Sequence, residues 1–320
     1  PTYYGVSSDL RRIAEICHAH GKPLLVDEAH GPHLHFHPEY PLSAVDVGAD
    51  MVVQSTHKII AGMTQSSMLH INSGRINLNR ARKVLQLMQS TSPNYVLMAS
   101  LDTARRQMAL HGESLLQHAL DISRWARTEL NKIPGIHCFG TERVGFPGLF
   151  ALDESKLTIN VSGLGVSGFD FCDWLNERHN IQSEMGTLTN VLEIVTFANT
   201  HEDMVRLVEA VRSISKEIHT QGIPRQALPL LQQMDLPDLP EAVLTPREAF
   251  YATVETVPFA QSAGRICTEV VSPYPPGIPI LVPGERITQE LVDYLQLVYR
   301  HGGFINGPDD VRLNTIKVVA

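Results

Sequence analysis

P-L-L-V-D-E-A-H (23–30) and M-V-V-Q-S-T-H-K (51–58) share one design: an apolar β-type run that ends in a cluster of polar residues. Runs of this kind read as two buried parallel strands, each delivering polar side chains at its C-terminal end. In open α/β sheets, ligand sites lie just outside those carboxyl ends. The residues placed there are Asp27 after the first run and Ser55, His57 and Lys58 after the second. Ser7-Ser8-Asp9 offers N-cap choices for a preceding helix with Leu10, Ile13, Ala14 and Cys17 on one face, stopped at Gly21. A short helical piece over 42–48 leads into the second strand. Helix–strand–helix–strand order argues for an α/β fold built of parallel βαβ units.

Beyond Lys58 a Gly/Thr/Ser loop, 62–67, precedes an apolar segment at 68–71. From Arg75 to Lys132 the pattern is helical, broken at Ser90-Thr91-Ser92-Pro93, with separate helices expected over 94–111 and 113–132. Alternation then resumes, with strands expected near 157–162 and 191–197 and helices near 167–179 and 201–219. Pro224, Pro229, Pro237, Pro240 and Pro246 make a linker or extended wrap of the next stretch. A helix from about Thr288 to His301 marks the last piece. The expected division is 1–112 as the remainder of a large domain, 113–222 as a small α/β subdomain, 223–247 as a proline-rich linker and 248–320 as a C-terminal domain.

The chain has 320 residues and a formal net charge of −8, with Lys and Arg scattered. No basic patch or stripe points to nucleic acid. No apolar run reaches membrane-span length, and no signal peptide is evident. The cysteines Cys17, Cys138, Cys172 and Cys267 form no C-x-x-C pair and read as reduced thiols of a cytoplasmic protein. The chain opens at Pro1, with its first clear element near Ser7. A doubly wound domain would be entered here in its middle, so a longer parent protein is expected.

An acid and a lysine at neighbouring strand ends suit pyridoxal 5'-phosphate, which needs a lysine amine for a Schiff base and a carboxylate beside its ring nitrogen. Taken alone, Lys58 is a surface lysine after a strand and Asp27 is a turn cap. Taken together, they read as a cofactor pair. His30, His33, His35 and His37 offer the competing reading, a metal site. That reading lacks an H-E-x-x-H pattern and leaves Lys58 without a role, so no metal is expected. His30 fits better as a wall of the cofactor pocket. Ser55 is expected to contact phosphate, and His57 to contact phosphate or shuttle a proton; local turn bonding is the plainer account of each. The chain has no G-x-G-x-x-G, no G-x-x-x-x-G-K-[ST] and no G-x-S-x-G, which weakens dehydrogenase, kinase and hydrolase readings.

Several segments, in order, resemble the Orn/Lys/Arg decarboxylases, and in particular their shorter arginine/lysine decarboxylase group. They are P-T-Y-Y-G-V (1–6), V-D-E-A-H-G-P-H (26–33), G-A-D-M-V-V-Q-S-T-H-K (48–58), T-Q-S-S-M-L-H (64–70), S-T-S-P-N-Y-V-L-M-A-S-L-D (90–102) and P-Y-P-P-G-I-P-I-L-V-P-G-E (273–285). The resemblance implies the C-terminal part of a fold-type I large domain followed by smaller α/β domains, without the family's N-terminal part. It implies pyridoxal-phosphate-dependent decarboxylation of a basic amino acid, arginine first and lysine or ornithine next, with a place in polyamine biosynthesis. Lys58 would carry the cofactor, Asp27 would bind the pyridinium nitrogen, Ser55 and His57 would contact phosphate and cofactor, and His30 would lie by the ring. Residues 90–94 would border the site near a subunit interface. Glu184, Glu248 and Tyr274 are candidates for the substrate side chain. A homodimer or larger homo-oligomer is expected, because such sites are shared between subunits. The alternatives are another fold-type I enzyme, an aminotransferase or lyase, or an inactive truncated partner of a full-length copy.

Overall fold

Asp9 starts the first helix, α1 (Leu10–Ala19), by accepting the Arg12 backbone N–H at 3.0 Å. The computed structural model describes residues 1–221, 237–274 and 277–320. Residues 222–236 of the proline-rich stretch and Pro275-Pro276 of the 273–285 segment lie outside the described residues. Two compact units share the chain. The first comprises Pro1–Lys132, Cys138–Thr158 and Ile194–Glu209; the second comprises Ile133–His137, Ile159–Glu193 and Ala210–Ala320.

In the first unit, β1 (Val6–Ser7) precedes α1, followed by β2 (Leu25–Asp27), β3 (Met51–Gln54), the short α2 (Thr56–Ile59) and β4 (Met68–Ile71). The two strands expected from sequence pair in parallel, Leu25 with Met51 and Asp27 with Val53. The third does not continue the parallel pattern. β4 runs antiparallel to β3, Gln54 opposite Met68, because the intervening segment holds only α2 and a tight loop rather than a crossover helix. Among the described residues, one face of the sheet is covered. Leu10 of α1, Leu24, Val26 and Val45 pack around Val52, Ala44 and Ala49. On the other face Leu25 and Val53 are 58% and 42% exposed. The side-chain period of two therefore turns Asp27 to the open face and Gln54 to the covered one.

The 42–48 stretch is a set of turns rather than a helix. It makes a single helix-like turn, with the Val47 N–H on the Ser43 carbonyl at 3.3 Å, and Gly48 at φ +76° ends that turn, while the Ala44 N–H is taken by the Glu28 carboxylate at 2.6 Å. After α3 (Leu78–Met88) comes α4, one unbroken helix over Tyr95–Leu130. Two helices, over 94–111 and 113–132, were expected there, and Gly112 between them is helical. Glycine at this point serves packing: a Cβ at Gly112 would lie 3.0 Å from the Phe36 Cβ. Helix α4 starts on Asn94, whose side chain accepts the Val96 and Leu97 N–H groups. Ile59 and Ile60 pack with Met108 of α4, anchoring the end of α2. Strand β5 (His137–Cys138) follows, and β6 (Ala151–Leu152) pairs with β1. Strand β7 (Lys156–Asn160) is buried along nearly its whole length.

The second unit carries α5 (Gly168–His179), capped by Ser167, and an antiparallel hairpin of β8 (Met185–Gly186) with β9 (Asn190–Ile194). Helix α6 (His201–Gln221) follows, its residues up to Glu209 belonging to the first unit. Then come α7 (Pro246–Tyr251), β10 (Val254–Pro258), β11 (Ser272–Tyr274), α8 (Gln289–Arg300), β12 (Phe304–Asn306) and β13 (Thr315–Val319). Strand β10 pairs with β13, and β11 with β12, both antiparallel. Phe259, Leu281, Leu291, Leu295, Ile305 and Val318 form the core beneath α8. Among the described residues no helix is long and apolar enough to cross a membrane.

Leu295 has no exposed surface, whereas Leu87 is 82% exposed. Leu295→Ala should lower unfolding free energy by about 2–5 kcal/mol in urea titration, and Leu87→Ala by less than about 0.5 kcal/mol. Equal losses at the two positions would contradict this account of the core.

Candidate active site

The open ends of β2 and β3 hold the polar residues singled out in the sequence. Asp27 closes β2, and its carboxylate accepts the Ala29 N–H at 3.0 Å, a local turn bond. Ser55 stands at the start of α2 without capping it through its side chain, and its carbonyl accepts the Lys58 N–H at 3.1 Å. Lys58 thus sits on one turn of helix rather than in a loop. Its Nζ lies 2.8 Å from His30 Nε2 and 5.2 Å from the centre of the Tyr3 ring. The Tyr3 and His30 rings approach to 3.9 Å between centroids.

Burial, and then the positive charge of Lys58, push the His30 imidazole down to about 3. The ring is therefore neutral at neutral pH. Lys58 has only donors as an ammonium, so Nε2 accepts and the His30 proton rests on Nδ1. That Nδ1 is buried and has no hydrogen-bond partner among the described residues, and the same holds for Thr56 Oγ1, two residues before Lys58. His57 turns its Nδ1 to the Ser66 carbonyl at 2.8 Å. A carbonyl only accepts, so Nδ1 carries a proton and Nε2 is the ring nitrogen left outside that bond. The loop folds close enough to require a glycine: a Cβ at Gly62 would lie 2.7 Å from Ser66 Oγ and 3.3 Å from the His57 nitrogen.

The four loop histidines go to four different partners. His30 meets Lys58, His33 meets Asp153 at 3.0 Å, His35 meets Asp46 at 2.5 Å and His37 meets Gln117 at 3.0 Å. Among the described residues no group of three or more His, Cys, Asp or Glu is arranged to hold a metal ion.

Three buried polar clusters support this surface, and sequence reading singled out none of them. Glu28 has no exposed surface and accepts Ser43 Oγ, the Ala44 N–H and Gln54 Nε2. Asp50 accepts His18 Nε2, the Leu24 N–H, Ser73 Oγ and Arg75 Nη1. Although burial opposes it, these bonds hold its carboxyl well below the usual range. Asp153 is buried with His33, Ser155 and Lys156 around it. Burial pulls its carboxyl upward, but His33, Lys156 and Ser155 together win and hold it low. Glu28 and Asp50 had a readable signal, a charged residue against an apolar strand. Asp153 had none, since its histidine lies 120 residues away.

The profile of the Orn/Lys/Arg decarboxylase major domain matches residues 1–203, and that of the same enzymes' C-terminal domain matches residues 229–304. The chain belongs to the Orn/Lys/Arg decarboxylase family. Among its relatives, an arginine decarboxylase of Bacillus subtilis is 42% identical over 319 residues, covering 100% of this chain and 64% of the relative. An arginine decarboxylase of Halalkalibacterium halodurans is 40% identical with the same coverage. The chain therefore spans 64% of the length of these relatives. Solved structures share the fold. The Escherichia coli constitutive lysine decarboxylase superposes with a TM-score of 0.78 at 22% identity, covering 100% of this chain and 57% of that one. Lysine decarboxylase A of Pseudomonas aeruginosa gives 0.77 at 24%, covering 100% and 56%.

The remaining candidates of this Orn/Lys/Arg decarboxylase chain, Glu184, Glu248 and Tyr274, belong to the second unit. Glu184 is exposed and enters the β8–β9 hairpin through its N–H, 3.0 Å from the Leu192 carbonyl. Glu248 closes a capping box on α7: its Oε2 accepts the Thr245 N–H at 2.8 Å and the Thr245 hydroxyl at 2.7 Å. Those bonds lower its carboxyl pKa. Tyr274 is half exposed on β11.

The depressed His30 imidazole sets a pH dependence. Unfolded, a histidine takes a proton below about 6.5; folded, His30 resists until about 3. The unfolded chain therefore binds more protons in that window, and stability falls as pH drops through it. The melting temperature of the wild type should decline from pH 6.5 downward, and His30→Gln should decline less steeply. Parallel curves for the two proteins would contradict the assignment.

Proposed function

We propose that this protein works as a pyridoxal-phosphate-dependent decarboxylase of a basic amino acid, arginine first and lysine or ornithine next, releasing the amine and CO2. The observation that carries the reading is the Lys58–His30 contact, with Asp27 ending the strand that pairs in parallel with the one before Lys58. It stands in a chain 42% identical to a curated arginine decarboxylase.

The residues suit the cofactor. Lys58 offers an amine held against a neutral imidazole, and Asp27 offers a carboxylate on the open face of the sheet. Two buried polar atoms beside the lysine, His30 Nδ1 and Thr56 Oγ1, want partners. Lys58 would hold the cofactor covalently, Asp27 would bind at its ring nitrogen, and Ser55 would contact its phosphate. When bound, pyridoxal phosphate supplies an electron sink for the pair left on the substrate α-carbon as CO2 departs.

The chain's own residues do the rest. Asp27 would favour a protonated ring nitrogen by its negative charge. His30, neutral, accepts from the Lys58 amine and walls the pocket. His57 presents Nε2 in an orientation fixed by the Ser66 carbonyl, which favours a proton shuttle. For the distal cation of the substrate, Glu184 is the stronger acidic candidate, since Glu248 commits one oxygen to its helix cap. Tyr274 is the aromatic candidate. The working form in this reading is a cytoplasmic homodimer or larger homo-oligomer.

Purified chain mixed with pyridoxal phosphate should develop the visible absorption of the lysine-bound cofactor. It should then release CO2 faster from arginine than from lysine or ornithine, without any keto acid. Lys58→Ala should lose both the absorption and the CO2 release. Retention of the absorption by Lys58→Ala would overturn the reading.

A further inference from the structure

The proposed mechanism leaves unused a buried acid that sits one residue from Asp27. Glu28 is fully buried, and its N–H donates to the Val53 carbonyl at 2.8 Å, extending the β2–β3 ladder one step past the strand. Its carboxylate accepts Gln54 Nε2 at 2.7 Å. A carboxylate only accepts, so the Gln54 amide must turn its nitrogen to Glu28 and its oxygen to His70. His70 Nε2 lies 3.0 Å from that oxygen and must therefore carry the proton. His70 belongs to β4, opposite Val52 of β3.

One chain of donors thus crosses three strands, from His70 to Gln54 to Glu28. Its members touch the proposed site only through the backbone. Glu28 follows Asp27, and Gln54 precedes Ser55 and the turn that carries Lys58. Glu28 is also tied to the far side of its loop by Ser43 Oγ at 2.7 Å and the Ala44 N–H at 2.6 Å. Removing one member would strand a buried polar partner, so the network holds one arrangement rather than several.

We infer that Glu28 and Gln54 are positioning residues, whose hydrogen-bonded pair under the sheet sets how Asp27 and the Lys58 turn face one another. The inference rests on the reading of Lys58 as the cofactor-binding amine. A clamp of this kind does not contact cofactor or substrate. It holds two backbone segments in register, so the amine and the acid meet the cofactor together.

The test uses Glu28→Gln, Gln54→Glu and the double swap in the full chain. In the double swap the glutamine at 28 donates to the glutamate at 54, accepts from Ala44 with its own oxygen, and leaves the new carboxylate to accept from His70. Two quantities are read. One is the acetylation rate of Lys58 in cofactor-free protein, mapped by mass spectrometry, with exposed Lys83 as internal control. The other is the Kd for pyridoxal phosphate. Each single variant should raise Lys58 acetylation several-fold without changing Lys83, and weaken pyridoxal phosphate about tenfold or more. The double swap should return both quantities toward wild type.

Folded single variants with wild-type values would overturn the inference, and so would a double swap as defective as the singles. If the single variants fail to fold, His70→Gln, which keeps a donor to Gln54, should acetylate Lys58 at the wild-type rate, and His70→Leu faster. Equal rates for those two would overturn the inference. Failure of the wild type to take up pyridoxal phosphate would count against the cofactor reading alone, since the acetylation arm still decides the clamp.

Discussion

The Glu28–Gln54 hydrogen bond closes the end of the parallel β2–β3 pair, and the site is built outward from it. Strand alternation sends Glu28 and Gln54 to the covered side and Asp27 to the open side. The same buried carboxylate that takes Gln54 also takes Ser43 and Ala44, so one side chain fixes a strand end and the far end of the loop after it. Such a group is costly to bury. It is tolerated because three donors converge on it, and losing any of them would leave an uncompensated acceptor in a dry place.

The histidine-rich loop obeys the same rule. His30, His33 and His37 are buried, and each finds a separate partner: an amine, a carboxylate and an amide. For His33 burial outweighs the pull of Asp153, so the imidazole pKa is lowered. His30 is lowered by burial and Lys58 together. The loop is thereby held in one conformation by polar contacts of different chemistry, which presents one neutral imidazole to one lysine. Asp50 does the equivalent work at the start of β3, joining α1 through His18 to the segment after β4 through Ser73 and Arg75.

Much of this was readable before any coordinates. The apolar runs before Asp27 and Lys58 gave the parallel pair, Asp9 and Thr288 marked helix starts, and the ordered motifs gave the family. What escaped was set by tertiary contacts. The helices expected over 94–111 and 113–132 are one, and Gly112 at their join makes room for Phe36. The 42–48 stretch looks helical, yet it stops after one turn at Gly48, whose φ is +76°. The β4 strand reads as apolar, but its direction depends on the length of the α2 connection. Asp153 and Lys156 carried no local signal, because their meaning depends on His33 in another part of the chain.

The central claim is that Lys58 is the amine this fold prepares for a cofactor aldehyde. Borohydride reduction after incubation with pyridoxal phosphate would fix the cofactor to whichever amine it has joined, and peptide mapping would locate it. The account predicts modification of Lys58 at stoichiometric cofactor, with exposed lysines such as Lys22 and Lys83 unmodified. Modification spread over the surface lysines, with Lys58 untouched, would contradict it.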